Sequence, residues 1–160
     1  VAVCRAVAAY YPQVNVDLLV TGAIFHDLGK TRELSYETAF DYTTEGRLIG
    51  HTTMGCEFLR HYADQVDGFP RDLLIYLTHM ILSHHGETER SPILPMIPEA
   101  FLLHYVENMD AQMAAVANEM EKGRELGRDW TDYVALLKRP LFIGDLSDLN
   151  PPEAEGENSE

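Results

Sequence analysis

The chain has 160 residues, 46% of them hydrophobic, with no apolar run near the ~20 residues of a membrane span, so it suits one globular domain with a sizeable core. Twelve basic against 26 acidic residues give a formal charge of −14, which argues against a nucleic-acid platform working by broad electrostatics. Two scattered cysteines, Cys4 and Cys56, are too few for a disulfide framework, and with no signal peptide a reducing cytoplasm fits best.

Residues 1–11, VAVCRAVAAYY, are apolar on most of their surface and stop at Pro12, which predicts the end of a buried helix. The chain opens on Val1 inside that pattern, so an upstream segment is expected. A second helix is expected from about Asp17 to Leu28, with the stripe Val16, Leu19, Val20, Ala23 and Ile24 bringing Asp27 to the buried face. It closes on His26-Asp27-Leu28-Gly29-Lys30, where Gly29 reads as a left-handed helix stop and Lys30 as a cation that could meet a phosphate. An ordinary C-cap accounts for this stretch equally well when it is taken alone.

Residues 31–44 lose the helical period and read as a loop or short irregular hairpin, after which Thr43 or Thr44 can cap a helix over about 45–66. Its stripe, Leu48, His51, Gly55, Phe58 and Tyr62, sets His51 on the core side. A fourth helix is expected from Pro70 to about His85, with Leu73, Leu77, Met80, Ile81 and His84 facing inward and His85 beside them. Residues 86–98, with three prolines, read as a stiff surface loop. The longest helix runs from Pro98 to about Gly123, with Leu103, Val106, Asp110, Met113 and Ala117 in one strip. A shorter helix around Trp130 to Leu137 and an extended Leu141-Phe142-Ile143 segment follow, and the acidic residues 151–160 read as a disordered tail. No period-two strand pattern is present. The expected architecture is all-α, a bundle of about six helices in one domain over residues 1–150.

Each of His51, His84 and Asp110, taken singly, also fits a hydrogen-bonded core polar group. Together with His26 and Asp27 they make five ionisable side chains in apolar helix stripes, and coordination of Mn, Fe, Co, Ni or Zn accounts for all of them at once. A structural zinc site is excluded by the number of ligands and the lack of thiolates. His61 reads as solvent-facing, and His79 and His104 as partners of ligands or ordinary helix residues.

These residues resemble the HD-domain metal-dependent phosphohydrolase superfamily. The segments HDLGKTREL, YTTEGRLIGH, HMILSHHGETERSP and PEAFLLHYVENMDAQM are similar, in order, to the HD domain of the YhaM-type 3′-to-5′ exoribonucleases, over about residues 15–120. The resemblance implies two divalent transition-metal ions (Mn, Fe, Ni or Co). By it His26 and Asp110 bind one ion, His51, His84 and His85 the other, Asp27 bridges both, and Lys30 lies near the phosphate. It also implies hydrolysis of phosphodiester bonds by a metal-activated hydroxide, with Asp27 and Lys30 as the catalytic pair, on single-stranded RNA or DNA attacked from the 3′ end. Arg32, Arg47 and Arg90 are further candidate phosphate contacts, each also readable as a surface charge.

Two features depart from that pattern. The superfamily's first histidine has no counterpart before His26 and is expected just upstream of Val1, as is the oligonucleotide-binding OB-fold that precedes the domain in YhaM-type enzymes. No GYP triplet follows the His-Asp pair, which weakens similarity to the HD-GYP cyclic-dinucleotide phosphodiesterases. The alternatives are a nucleotide or cyclic-nucleotide phosphohydrolase and a catalytically weak sensor or binding domain. No membrane partner is expected, and the sequence leaves the oligomeric state open.

Overall fold

The computed structural model describes residues 1–35, 41–86 and 91–144. Arg90 and the acidic tail therefore lie outside the described residues. The chain divides into two compact units, Val1–Met109 and Asp110–Glu160.

In the first unit, α1 covers Ala2–Ala8 and α2 covers Val16–Phe25. Asn15 starts α2 because its side chain accepts from the Leu18 amide at 3.0 Å, and Asp17 adds a carboxylate to the positive helix end. A short α3, Lys30–Glu33, leads into β1, Leu34–Ser35, which pairs antiparallel with β2, Asp41–Tyr42. Thr43 then caps α4, Thr44–Ile49, by accepting from the Gly46 amide at 2.8 Å.

The single helix expected over 45–66 is two. Gly50 has φ +80°, a left-handed conformation that interrupts the helical ladder, and α5 starts afresh at His51 and runs to Ala63. Because α4 is separate, Leu48 is exposed instead of facing the core. After Pro70, α6 covers Arg71–Ser83.

The last helix of this unit, α7, spans Pro98–Glu125 and crosses the unit boundary. Leu19 of α2, Met80 of α6 and Ala100, Leu103 and Val106 of α7 form one core with Cys4 and Ala8 of α1. Leu59 of α5 packs with Leu77 and Ile81 of α6 in a second. Leu19 is fully buried, so truncation to alanine there would cost roughly 2–5 kcal/mol.

The helix expected at Trp130–Leu137 is absent from the second unit. A small hairpin replaces it, with bridges Trp130↔Phe142 and Val134↔Arg139 and Lys138 at φ +55°. The flanking aromatic and β-branched residues favour the extended pairing. The extended segment through Ile143 is present, with Ile143 buried against Gly123. Apart from these ribbons the fold is helical, as the sequence reading expects. No helix among the described residues is long and apolar enough to cross a membrane.

Candidate metal centre

Three helix ends of the first unit meet at the site: the C-terminal end of α2, the start of α5 and the C-terminal end of α6. The close approach is set by backbone. Gly29 has ordinary right-handed dihedrals, φ −60° and ψ −24°, so the expected left-handed stop is not its role. A Cβ at Gly29 would collide with the carbonyl oxygen of His51, and α5 answers with a glycine of its own, Gly55, facing the Gly29 amide. At the end of α6, Gly86 adopts φ +74°, and a Cβ there would strike the ring of His104. His104 in turn sits with Nδ1 2.9 Å from the carbonyl oxygen of His84 and supports the His84-His85 turn.

These contacts bring six of the expected residues together. His51 Nε2 lies 3.0 Å from His85 Nε2, and the rings of His84 and His85 are 4.0 Å apart. Asp27 Oδ1 faces His51 Nε2 at 3.7 Å and His84 Nε2 at 3.8 Å, while Oδ2 faces His26 Nε2 at 3.4 Å and Lys30 Nζ at 2.7 Å. His51, His84 and His85 form one group able to hold a cation, and His26, Asp27 and Glu107 form another.

Asp110, expected beside His26, is exposed and belongs to the second unit. Within the first unit, Glu107 of α7 is the carboxylate grouped with His26 and Asp27. Both residues continue the buried Leu103 and Val106 stripe at helical spacing, with burial along α7 fading after Val106.

A second carboxylate was invisible to periodicity. Glu33 is buried at the end of α3 and accepts at Oε1 from both the His51 amide and His51 Nδ1, each at 3.0 Å. It lies in the stretch read as an irregular loop, and the only available signal was a lone acid between arginine and leucine.

The candidate phosphate contacts separate. Lys30 is at the centre, whereas Arg32 pairs with Glu45 and, at 3.6 Å, with Glu57, and Arg47 pairs with Asp41 at 2.9 Å. His61 is exposed, as expected, and His79 Nε2 accepts from the Met96 amide at 2.9 Å.

The electrostatics suit a cation. Burial, with the neighbouring His85 adding, pushes His84 down to about 3, so its imidazole stays neutral with a lone pair on Nε2. Burial works against ionisation of Asp27, but hydrogen bonds and charge from His26 and Lys30 outweigh it and hold the carboxyl well below its usual range. Burial raises Glu107, partly opposed by His26. Burial also disfavours protonated His26, yet Asp27 and Glu107 together raise it.

Among the described residues, Asp27 Oδ1 and His84 Nε2 are buried polar atoms with no hydrogen-bond partner. Such atoms are costly unless something satisfies them. An ionised oxygen and a neutral imidazole lone pair 3.8 Å apart are too distant to bond each other, and both are donors to a metal ion. The residues therefore fit the divalent metals that the arrangement implies.

Comparison with known proteins agrees with this geometry. The chain is 42% identical over 139 residues to the 3′-5′ exoribonuclease YhaM of Bacillus velezensis and, equally, to that of Bacillus subtilis. It is 41% identical over 139 residues to the YhaM of a Geobacillus species. These matches take in 86% of this chain but about 43% of each Bacillus relative, so the chain spans less than half the length of the curated relatives it matches. No solved structure matches significantly. The model of the HD domain matches residues 1–131, the stretch that contains every side chain of the centre, and the chain belongs to the HD domain family.

Proposed function

We propose that this domain hydrolyses phosphodiester bonds at a paired divalent-metal centre, acting as a 3′-to-5′ exonuclease on single-stranded RNA or DNA. The observation that carries the reading is the buried, unpartnered pair Asp27 Oδ1 and His84 Nε2, set among imidazoles that already point at one another. The similarity to proteins named 3′-5′ exoribonuclease supports the choice of substrate class. His51, His84 and His85 would hold one ion and His26 with Glu107 the other, with Asp27 presenting one oxygen to each group.

Bound divalent ions supply Lewis acidity at the phosphoryl group and acidify a water molecule. The chain's own contribution is orientation and charge. Asp27 is held ionised and fixed by Lys30, whose half-exposed ammonium can also donate to a phosphoryl oxygen entering from solvent. Arg32 and Arg47 are already matched with carboxylates, so among the described residues these two candidates offer little further grip on a long polyanion at a net charge of −14. That grip would come from a separate oligonucleotide-binding module.

The test is to load the chain with Mn²⁺ and supply bis(4-nitrophenyl) phosphate and 5′-labelled single strands. Slow cleavage of the diester and mononucleotide release from short strands are expected, with weak binding of long ones. Intact diesters and strands beside brisk hydrolysis of a nucleoside monophosphate or cyclic dinucleotide would replace this reading with the nucleotidase one.

A further inference from the structure

We propose that Glu33 is a positioning residue that fixes His51 as a metal ligand through Nε2, an inference that rests on the metal-centre reading above. The reason lies in where the histidines sit on their helices. His26 and His84 follow complete helical turns, and each ring's Nδ1 meets the carbonyl oxygen three residues back, that of Ala23 at 2.9 Å and that of Ile81 at 2.7 Å. Each ring is thereby set by its own helix, with Nε2 left facing the centre.

His51 has no such turn behind it. It is the first residue of α5, the preceding Gly50 is left-handed, and no side chain from the flanking residue caps this end. Glu33 fills both needs from another element. Its Oε1 accepts the His51 backbone N–H, placing a carboxylate at the positive end of α5, and accepts the ring Nδ1–H, leaving the lone pair on Nε2. Two hydrogen bonds to one residue fix its main chain and its ring together.

Glu33 is itself anchored. Its carbonyl oxygen accepts the Thr43 amide at 2.9 Å, and Gly46 packs so closely that a Cβ there would collide with that same oxygen. The acceptor on His51 differs in kind from the other two, because it is a carboxylate and not a peptide carbonyl. A charged acceptor strengthens the ring's electron donation to a cation, and loss of such partners typically weakens metal affinity by about 10–100-fold.

The experiment is a Co²⁺ titration of the full chain, wild type and Glu33→Gln, followed by the visible absorption of the ion and by the melting temperature with and without metal. The amide keeps an oxygen for the His51 N–H but not the charge. Expected are an apoprotein melting near wild type, Co²⁺ affinity about 10–100-fold weaker, an altered visible band and a smaller metal-induced rise in melting temperature. A variant that melts lower but binds Co²⁺ with wild-type affinity and band shape would make Glu33 only a helix cap, overturning the proposal while the metal centre stands. A wild-type chain that takes up no Co²⁺ would bring down the metal-centre reading itself. If Glu33→Gln does not fold, imidazole ¹⁵N spectra of the zinc-loaded wild type decide: protonated Nδ1 with metal on Nε2 of His51 supports the proposal, and the reverse overturns it.

Discussion

The two halves of the centre are built on different principles. In the histidine group, the rings of His51 and His84 are pinned at Nδ1, and His84 is sealed from water and neutral, so these donors are set in advance. The carboxylate group is wetter, with about a third of the Asp27 side chain exposed, and it carries the charge along with Lys30. The difference teaches a division of labour: the first half is suited to retaining an ion, and the second to meeting a charged substrate from solvent.

The largest expected effect comes from removing the residue that the halves share. Asp27→Ala should abolish both metal sites and lower phosphodiester hydrolysis by about three orders of magnitude or more, by elemental analysis and steady-state rates. Retention of two ions would mean the halves are independent.

Next come variants that address one half each. His84→Ala should lose the tighter of two metal equivalents, and Glu107→Gln the weaker, measured by competition with a chelator. Asp110→Asn should leave the metal content unchanged. If Asp110→Asn lost an ion and Glu107→Gln did not, the carboxylate half would have been assigned one helical turn too early.

A smaller effect tests the scaffold beneath both halves. Gly29→Ala would force its Cβ onto the His51 carbonyl, so the apoprotein should lose roughly 1–3 kcal/mol in denaturant unfolding even with every ligand present.

The smallest concerns α6, the support of the histidine half. Burial lowers the pKa of His79 below its ordinary 6.5, and its neutral Nε2 accepts the Met96 N–H. Below pH 6.5 the unfolded chain takes up a proton that the folded one resists, so this contribution is complete above about 6.5 and is lost as pH falls. His79→Gln should flatten that acid-side slope of melting temperature, and an unchanged slope would remove His79 as its source.

Much of this centre was legible because helical periodicity reports which residues face inward. His26-Asp27, His51 and His84 stood in apolar stripes, with His85 beside the last, and Pro70 and Thr43 marked helix starts that the structure contains. Periodicity fails where position depends on distance across the fold. It cannot choose between Glu107 and Asp110, which lie one turn apart on one face, and it is silent on Glu33, which reaches its partner from 18 residues away. Nor could it report that Arg32 and Arg47 already have acidic partners. The helix break at Gly50 and the hairpin at Trp130 depend on single backbone dihedrals and on pairing across a turn, and a stripe of apolar residues encodes neither.

The glycine contact between Gly29 and the His51 carbonyl reaches beyond stability. A side chain can drift through neutral intermediates, since one methylene more or less is absorbed by its neighbours, but a place with no room for any side chain has no intermediate to pass through. In a saturation library selected for function, Gly29 and Gly46 should tolerate as few replacements as the histidines do, although neither offers an atom to metal or substrate. Intolerance alone would then overstate the chemistry of this centre, and separating its reactive positions from its spacers requires selecting the same library once for folding and once for turnover.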